Sequence, residues 1–150
     1  MNLHRAGTKV GGTFRANSEL LKSSDVIQKF LSTMVTRLEM NDLTTVSFDV
    51  ADELKKRGQK IEADEGGITA ITVLSTSHIA IHTWPEENAA TYDVHSCRDF
   101  SPELVRLIIE EVFETTDIEN YDLSFSLEKL QVSAYSAAWF LFSDVRNNRY

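Results

Sequence analysis

An α+β two-layer sandwich, an antiparallel sheet with helices packed on one face, is the fold class this sequence predicts. Two observations carry that expectation. Between Ile68 and Cys97 lie consecutive stretches of alternating, β-branched residues separated by short turns, which pair most simply as antiparallel neighbours. Flanking them, two segments repeat apolar residues at helical spacing, so each has one face to bury. A chain of 150 residues is long enough for one cored domain and short for two, so 1–150 reads as a single domain.

The elements follow in order as a strand, a helix, three or four consecutive strands, a second helix and closing strands. Residues 16–25 form a turn into the first helix. Ser23, Ser24 and Asp25 offer caps there, and Ile27, Phe30, Leu31, Met34 and Leu38 make the apolar stripe. Leu43–Phe48 is a strand rich in Thr and Val. Asp49–Gly67 is charged, contains Gly58, Gly66 and Gly67, and reads as a loop with one helical turn. Ile68–Leu74 is the next strand. His78–Trp84 alternates, with His78, Ala80, His82 and Trp84 on one face and Ile79, Ile81 and Thr83 on the other.

Pro85–Asn88 is a turn into Ala90–Cys97, which sets Thr91, Asp93, His95 and Cys97 opposite Tyr92 and Val94. Ser101 and Pro102 start the second helix, which buries Val105, Ile108, Ile109, Val112 and Phe113. Tyr121–Phe125 and Val132–Phe142 close the sheet. The sheet face away from the helices is left for chemistry or a partner, with Trp84, Trp139 and Phe140 as candidates to cover it.

The formal net charge of −8 argues against nucleic acid, because backbone binding needs clustered Lys and Arg. It suits a cationic small molecule, and equally a simply soluble surface. No apolar run approaches the roughly 20 residues of a membrane span, and Met1–Arg5 carries no secretory h-region. The single Cys97 suits a reducing cytoplasm, which is the expected location.

The chemistry gathers in Thr76-Ser77-His78-Ile79-Ala80-Ile81-His82-Thr83-Trp84-Pro85-Glu86 and in Cys97. A serine, nearby histidines and a separate thiol can support self-processing followed by a second acid/base task. The bland readings are a turn serine, a satisfied core histidine and a small buried thiol. His78, His82, His95 and Cys97 on adjacent strands could in principle hold zinc. Their spacing matches no compact zinc signature, so no metal is expected.

The same run resembles the prokaryotic S-adenosylmethionine decarboxylase proenzymes, whose hallmark is Ser-His-x-x-Ile-His-Thr-Trp-Pro-Glu. The resemblance is specific over residues 67–97. It implies that the Ser77 hydroxyl attacks the Thr76 carbonyl, turning the peptide bond into an ester. Elimination then gives chains 1–76 and 77–150, the second beginning with a pyruvoyl cofactor made from Ser77. By the same resemblance His82 is the processing histidine, and Thr69 stands where relatives carry an assisting serine. Cys97 is the catalytic acid; an ordinary thiol, with a pKa of roughly 8.5, is protonated near neutral pH. Glu86 matches a ribose-binding acid, grouped with Trp84 as substrate-binding. The cofactor's ketone would form a Schiff base with the substrate's amino group and accept electrons as carbon dioxide leaves.

The implied enzyme is a carboxy-lyase acting on S-adenosylmethionine and feeding spermidine and polyamine synthesis, assembled as a homodimer with sites at or near the interface. Thr76 replaces the family's usual Glu, His95 stands where Phe is common, and no residue matches the adenine-stacking aromatic. These departures keep two alternatives in view: a pyruvoyl-dependent ornithine or arginine decarboxylase, and an uncleaved, non-enzymatic regulatory relative.

Overall fold

The computed structural model describes residues 6–62 and 65–126. Its six strands are β1 (Ala6–Arg15), β2 (Asp42–Asp49), β3 (Ile68–Leu74), β4 (His78–Trp84), β5 (Ala89–Ser96) and β6 (Ile118–Ser126). They form one sheet in the order β2-β3-β4-β5-β1-β6, and every pairing is antiparallel. The main helices, α2 (Ser24–Arg37) and α4 (Pro102–Phe113), lie against each other on one sheet face. A one-turn α1 (Ser18–Leu21) precedes them. This is the expected α+β sandwich.

The helices start where their caps allow. The Ser23 hydroxyl accepts from the Val26 N–H at 3.3 Å, and the Ser101 hydroxyl accepts from the Leu104 N–H at 3.3 Å. Pro102 occupies the first turn of α4, where a missing N–H does no harm. The helix stops at Glu114, which turns left-handed at φ 53°.

Two elements differ from the sequence reading. The opening strand, which that reading assigned to no residues, is β1, inserted between β5 and β6. Its glycines lower strand propensity, yet here they admit neighbours. A Cβ on Gly11 would lie 2.6 Å from the Tyr121 hydroxyl, and one on Gly12 would lie 2.0 Å from the Glu119 carbonyl oxygen. The stretch read as a loop with one helical turn contains the longer, seven-residue α3 (Val50–Lys56), capped by the Asp49 carboxylate on the Asp52 N–H at 3.0 Å. It buries no residue, so no apolar stripe announced it.

Alternation on the three central strands builds the core. Ile68, Ala70 and Leu74, then Ile79 and Ile81, then Tyr92 and Val94 are buried with Phe30, Leu31, Met34, Ile108, Ile109 and Phe113. Phe113 joins the layers, with ring centroids 4.7 Å from Phe14 and 5.4 Å from Phe30. The opposite face carries Lys9, His78, Ala80, His82, Asp93 and His95, with Val46, Phe48 and Val73 exposed beside them. Trp84 is half-buried on that face. The expected strand Val132–Phe142, with Trp139 and Phe140, lies outside the described residues. Among those described, no helix is long and apolar enough to cross a membrane.

Gly67 joins α3 to β3 at φ +84°, and a Cβ there would stand 2.1 Å from the Thr83 carbonyl oxygen. Gly67→Ala is therefore expected to lower unfolding free energy by about 3 kcal/mol, read from the urea midpoint. The Tyr92 hydroxyl is buried with no hydrogen-bond partner among the described residues, and burial pushes its pKa up to about 12. Tyr92→Phe should leave stability unchanged or raise it by up to about 1 kcal/mol in the same titration.

Candidate active site

The β3–β4 hairpin turns through Ser75 and Thr76. The Leu74 N–H donates to the Ser77 carbonyl at 3.0 Å, and the Ser75 N–H donates to Asn41 O at 3.1 Å. No residue of this turn has a positive φ, so it is not one of the primed two-residue turns. Beside it runs the end of β5. The Cys97 N–H donates to Ser77 Oγ at 3.2 Å, and Cys97 Sγ lies 2.7 Å from Thr76 Oγ1. Cys97 thus touches the residues on both sides of a single peptide bond. Thr76, Ser77 and Cys97 line a small cavity of about 150 Å³, together with Met40, Arg98 and Asp99.

Thr69, His82, Trp84 and Glu86 gather at the opposite end of β4. Thr69 pairs with His82 across the strands, and Thr69 Oγ1 lies 3.1 Å from His82 Nδ1. The His82 and Trp84 rings are 6.4 Å apart, and Glu86 is exposed in a short 3-10 turn at Pro85–Glu87. Within one protomer His82 stands apart from Ser77. Five residues of extended strand separate them by roughly 16 Å, because each adds about 3.3 Å in one direction. The candidate residues therefore form two groups, one at each end of β4.

Between the groups lies a polar network that the sequence reading passed over. Asp93 takes His78 Nε2 at 2.9 Å on one oxygen and Lys9 Nζ at 2.7 Å on the other. The His78 and His95 rings stack at 5.4 Å with planes 13° apart. The hydrogen bond to Asp93 is the main reason the Lys9 pKa is raised. Burial, then the neighbouring His78 and Lys9 charges, lowers that of His95. Alternation had put Asp93 and His95 on the Cys97 face, and that was the available signal. Nothing local in Lys9 marked it. Among the described residues, no group of three or more His, Cys, Asp and Glu side chains is placed to hold a metal ion.

Comparison with known proteins bears on this arrangement. The family model described as S-adenosylmethionine decarboxylase matches residues 10–124. An S-adenosylmethionine decarboxylase proenzyme of Aeropyrum pernix is 32% identical over 93 residues, 61% of this chain and 61% of that protein. An arginine decarboxylase proenzyme of Caldivirga maquilingensis is 53% identical over 38 residues, 25% of this chain and 28% of that protein. The matched stretch thus spans less than two thirds of these curated relatives. Among solved structures, the adenosylmethionine decarboxylase of Aquifex aeolicus superposes with a TM-score of 0.59 at 19% identity. That match covers 79% of this chain and 88% of the other, and it shows a shared fold.

The lowered pKa of His95 sets a pH dependence. The unfolded chain takes up this proton near 6.5, before the folded one does. The contribution is complete above that pH and is lost as pH falls through it toward the folded value. His95→Phe cannot titrate, so the stability gap between wild type and the variant should shift in the variant's favour below about pH 6.5. Urea midpoints of the two proteins at pH 7.5 and 5.5 measure it.

Proposed function

The chain belongs to the S-adenosylmethionine decarboxylase family, and from that premise we propose that it is a self-processing decarboxylase cut between Thr76 and Ser77. One observation carries the reading: Cys97 frames that peptide bond, its N–H on Ser77 Oγ and its thiol on Thr76 Oγ1. In the proposed processing, Ser77 Oγ bonds to the Thr76 carbonyl carbon as the Thr76–Ser77 C–N bond breaks. Elimination then frees the Thr76 carboxylate with Oγ. Hydrolysis of the dehydrated residue releases ammonia and leaves a pyruvoyl group.

The residues fit such a group at position 77, since Ser77 and Cys97 line the same cavity. A pyruvoyl there supplies an electron sink for loss of carbon dioxide. Cys97, beside position 77, is proposed to deliver a proton from its thiol to the substrate carbon. Glu86 and Trp84 are proposed to contact the nucleoside end of S-adenosylmethionine, whose decarboxylated form would serve polyamine synthesis in the cytoplasm.

His82 and Thr69 are proposed to assist processing from a second copy of the chain. The separation of His82 from Ser77 in one protomer supports this, as do the exposed Val46, Phe48 and Val73 on the face left bare by the helices. A homodimer stacked through that face would bring the ends of two β4 strands together. A second substrate reading, arginine, is favoured by the Caldivirga maquilingensis proenzyme.

Intact mass under denaturing conditions tests the processing. Fragments 1–76 and 77–150, the latter blocked, are expected, and a single unbroken chain would point instead to a non-enzymatic relative. Ser77→Ala should abolish cleavage. His82→Ala should stay intact alone, yet be cut when co-expressed with Ser77→Ala, which retains His82. Release of carboxyl label from S-adenosylmethionine is expected to exceed release from arginine or ornithine, and the reverse would reassign the substrate.

A further inference from the structure

The proposed cleavage removes most of what holds residue 77. Its covalent link to Thr76 goes, and so does Ser77 Oγ, the atom that receives the Cys97 N–H. What is left among the described residues is the hydrogen bond from the Leu74 N–H to the residue 77 carbonyl, with the peptide bond to His78. Residue 77 becomes a chain end, and chain ends fray unless tied down. Fraying here would move the reacting carbonyl, where displacement of about 1 Å already matters.

His78 is placed to prevent that. Its backbone pairs with Val73 on β3 and His95 on β5, so it is the first residue of the new chain inside the sheet. Its ring is fixed twice, flat on His95 and through Nε2 to Asp93. Asp93 is in turn fixed from β1, because its second oxygen holds Lys9 Nζ. The three strands β4, β5 and β1 thus converge on one imidazole. The side chains of Lys9, Asp93 and His78 are 35%, 26% and 39% exposed, which sets them apart from fully solvated ion pairs whose geometry water loosens.

We propose that the Lys9–Asp93–His78 network, with His95 stacked on it, is a clamp that keeps the cofactor-bearing chain end in register after cleavage. His78 and Asp93 are positioning residues in this scheme. They act through the backbone of residue 77 and take no part in breaking the Thr76–Ser77 bond. The inference rests on the processing reading above.

Hydrogen–deuterium exchange of the peptide beginning at residue 77, in full-length protein, separates the possibilities. Asp93→Asn is expected to be cut to completion and then to exchange amides 78–81 about tenfold faster than cleaved wild type. With Ser77→Ala added, the chain stays tethered at both ends, and Asp93→Asn should then leave those amides unchanged. A merely structural loss would speed exchange in both backgrounds. Cleaved Asp93→Asn should also lose kcat by about tenfold with KM within about threefold.

Lys9→Met should act in the same direction and Lys9→Arg should restore protection. Should Asp93→Asn not fold, His78→Phe removes the same hydrogen bond while keeping a ring for the stack. Wild-type exchange rates in cleaved Asp93→Asn would overturn the clamp and leave the processing reading standing. An Asp93→Asn chain that folds but is not cut would move the network into processing and overturn it too. Uncut wild type would sink both.

Discussion

The register of β4 between β3 and β5 is the constraint on which the rest of this molecule depends. Ile79 and Ile81 enter the core only when His78, Ala80 and His82 face the other way. A slip by one residue would expose both isoleucines, at roughly 3–6 kcal/mol in lost burial, and would push two imidazoles against apolar neighbours. That single choice of face puts the hairpin turn beside Cys97. It also pairs His82 with Thr69 and lays His78 on His95. The helix layer enforces the choice by supplying the apolar surface that the isoleucines meet.

The same register explains why the candidate residues divide. A strand is a ruler, and its length keeps Ser77 and His82 apart whatever their side chains do. One end of β4 holds the bond proposed to break, with the thiol across it. The other end holds an imidazole on a threonine hydroxyl, beside an indole. A sheet face that no helix covers among the described residues, with exposed Val46, Phe48 and Val73, is what a second copy would need in order to bring unlike ends together. Division within the protomer and proposed assembly are two consequences of one geometry.

The polar network at the middle of that face matters for a different reason. Strand β1, distant in sequence, meets the β4–β5 hairpin there, and Lys9 reaches Asp93 only because β1 inserts between β5 and β6. Thr76 takes part in framing the bond, since its hydroxyl meets the Cys97 thiol.

Local pattern was enough for the strands Ile68–Leu74 and His78–Trp84 and for the helix starting at Pro102, because period-two and helical alternation are written in neighbouring residues. The resemblance around Ser77 likewise pointed to Thr76–Ser77 as the bond proposed to break and singled out Cys97, Thr69 and His82, whose contacts are seen in the structure. Three things were not fully legible. β1 is interrupted by glycines whose purpose is the close approach of β6. α3 was read as a single helical turn and not as seven residues, because it buries no side chain and has no stripe to detect. The Lys9–Asp93 contact joins residues whose proximity depends on strand order. Sequence by itself determined which face each central strand turns inward, since burial rewards alternation locally. Only the tertiary structure decided that Lys9 and Asp93 converge on His78, because that depends on β1, remote in the chain, being placed beside β5.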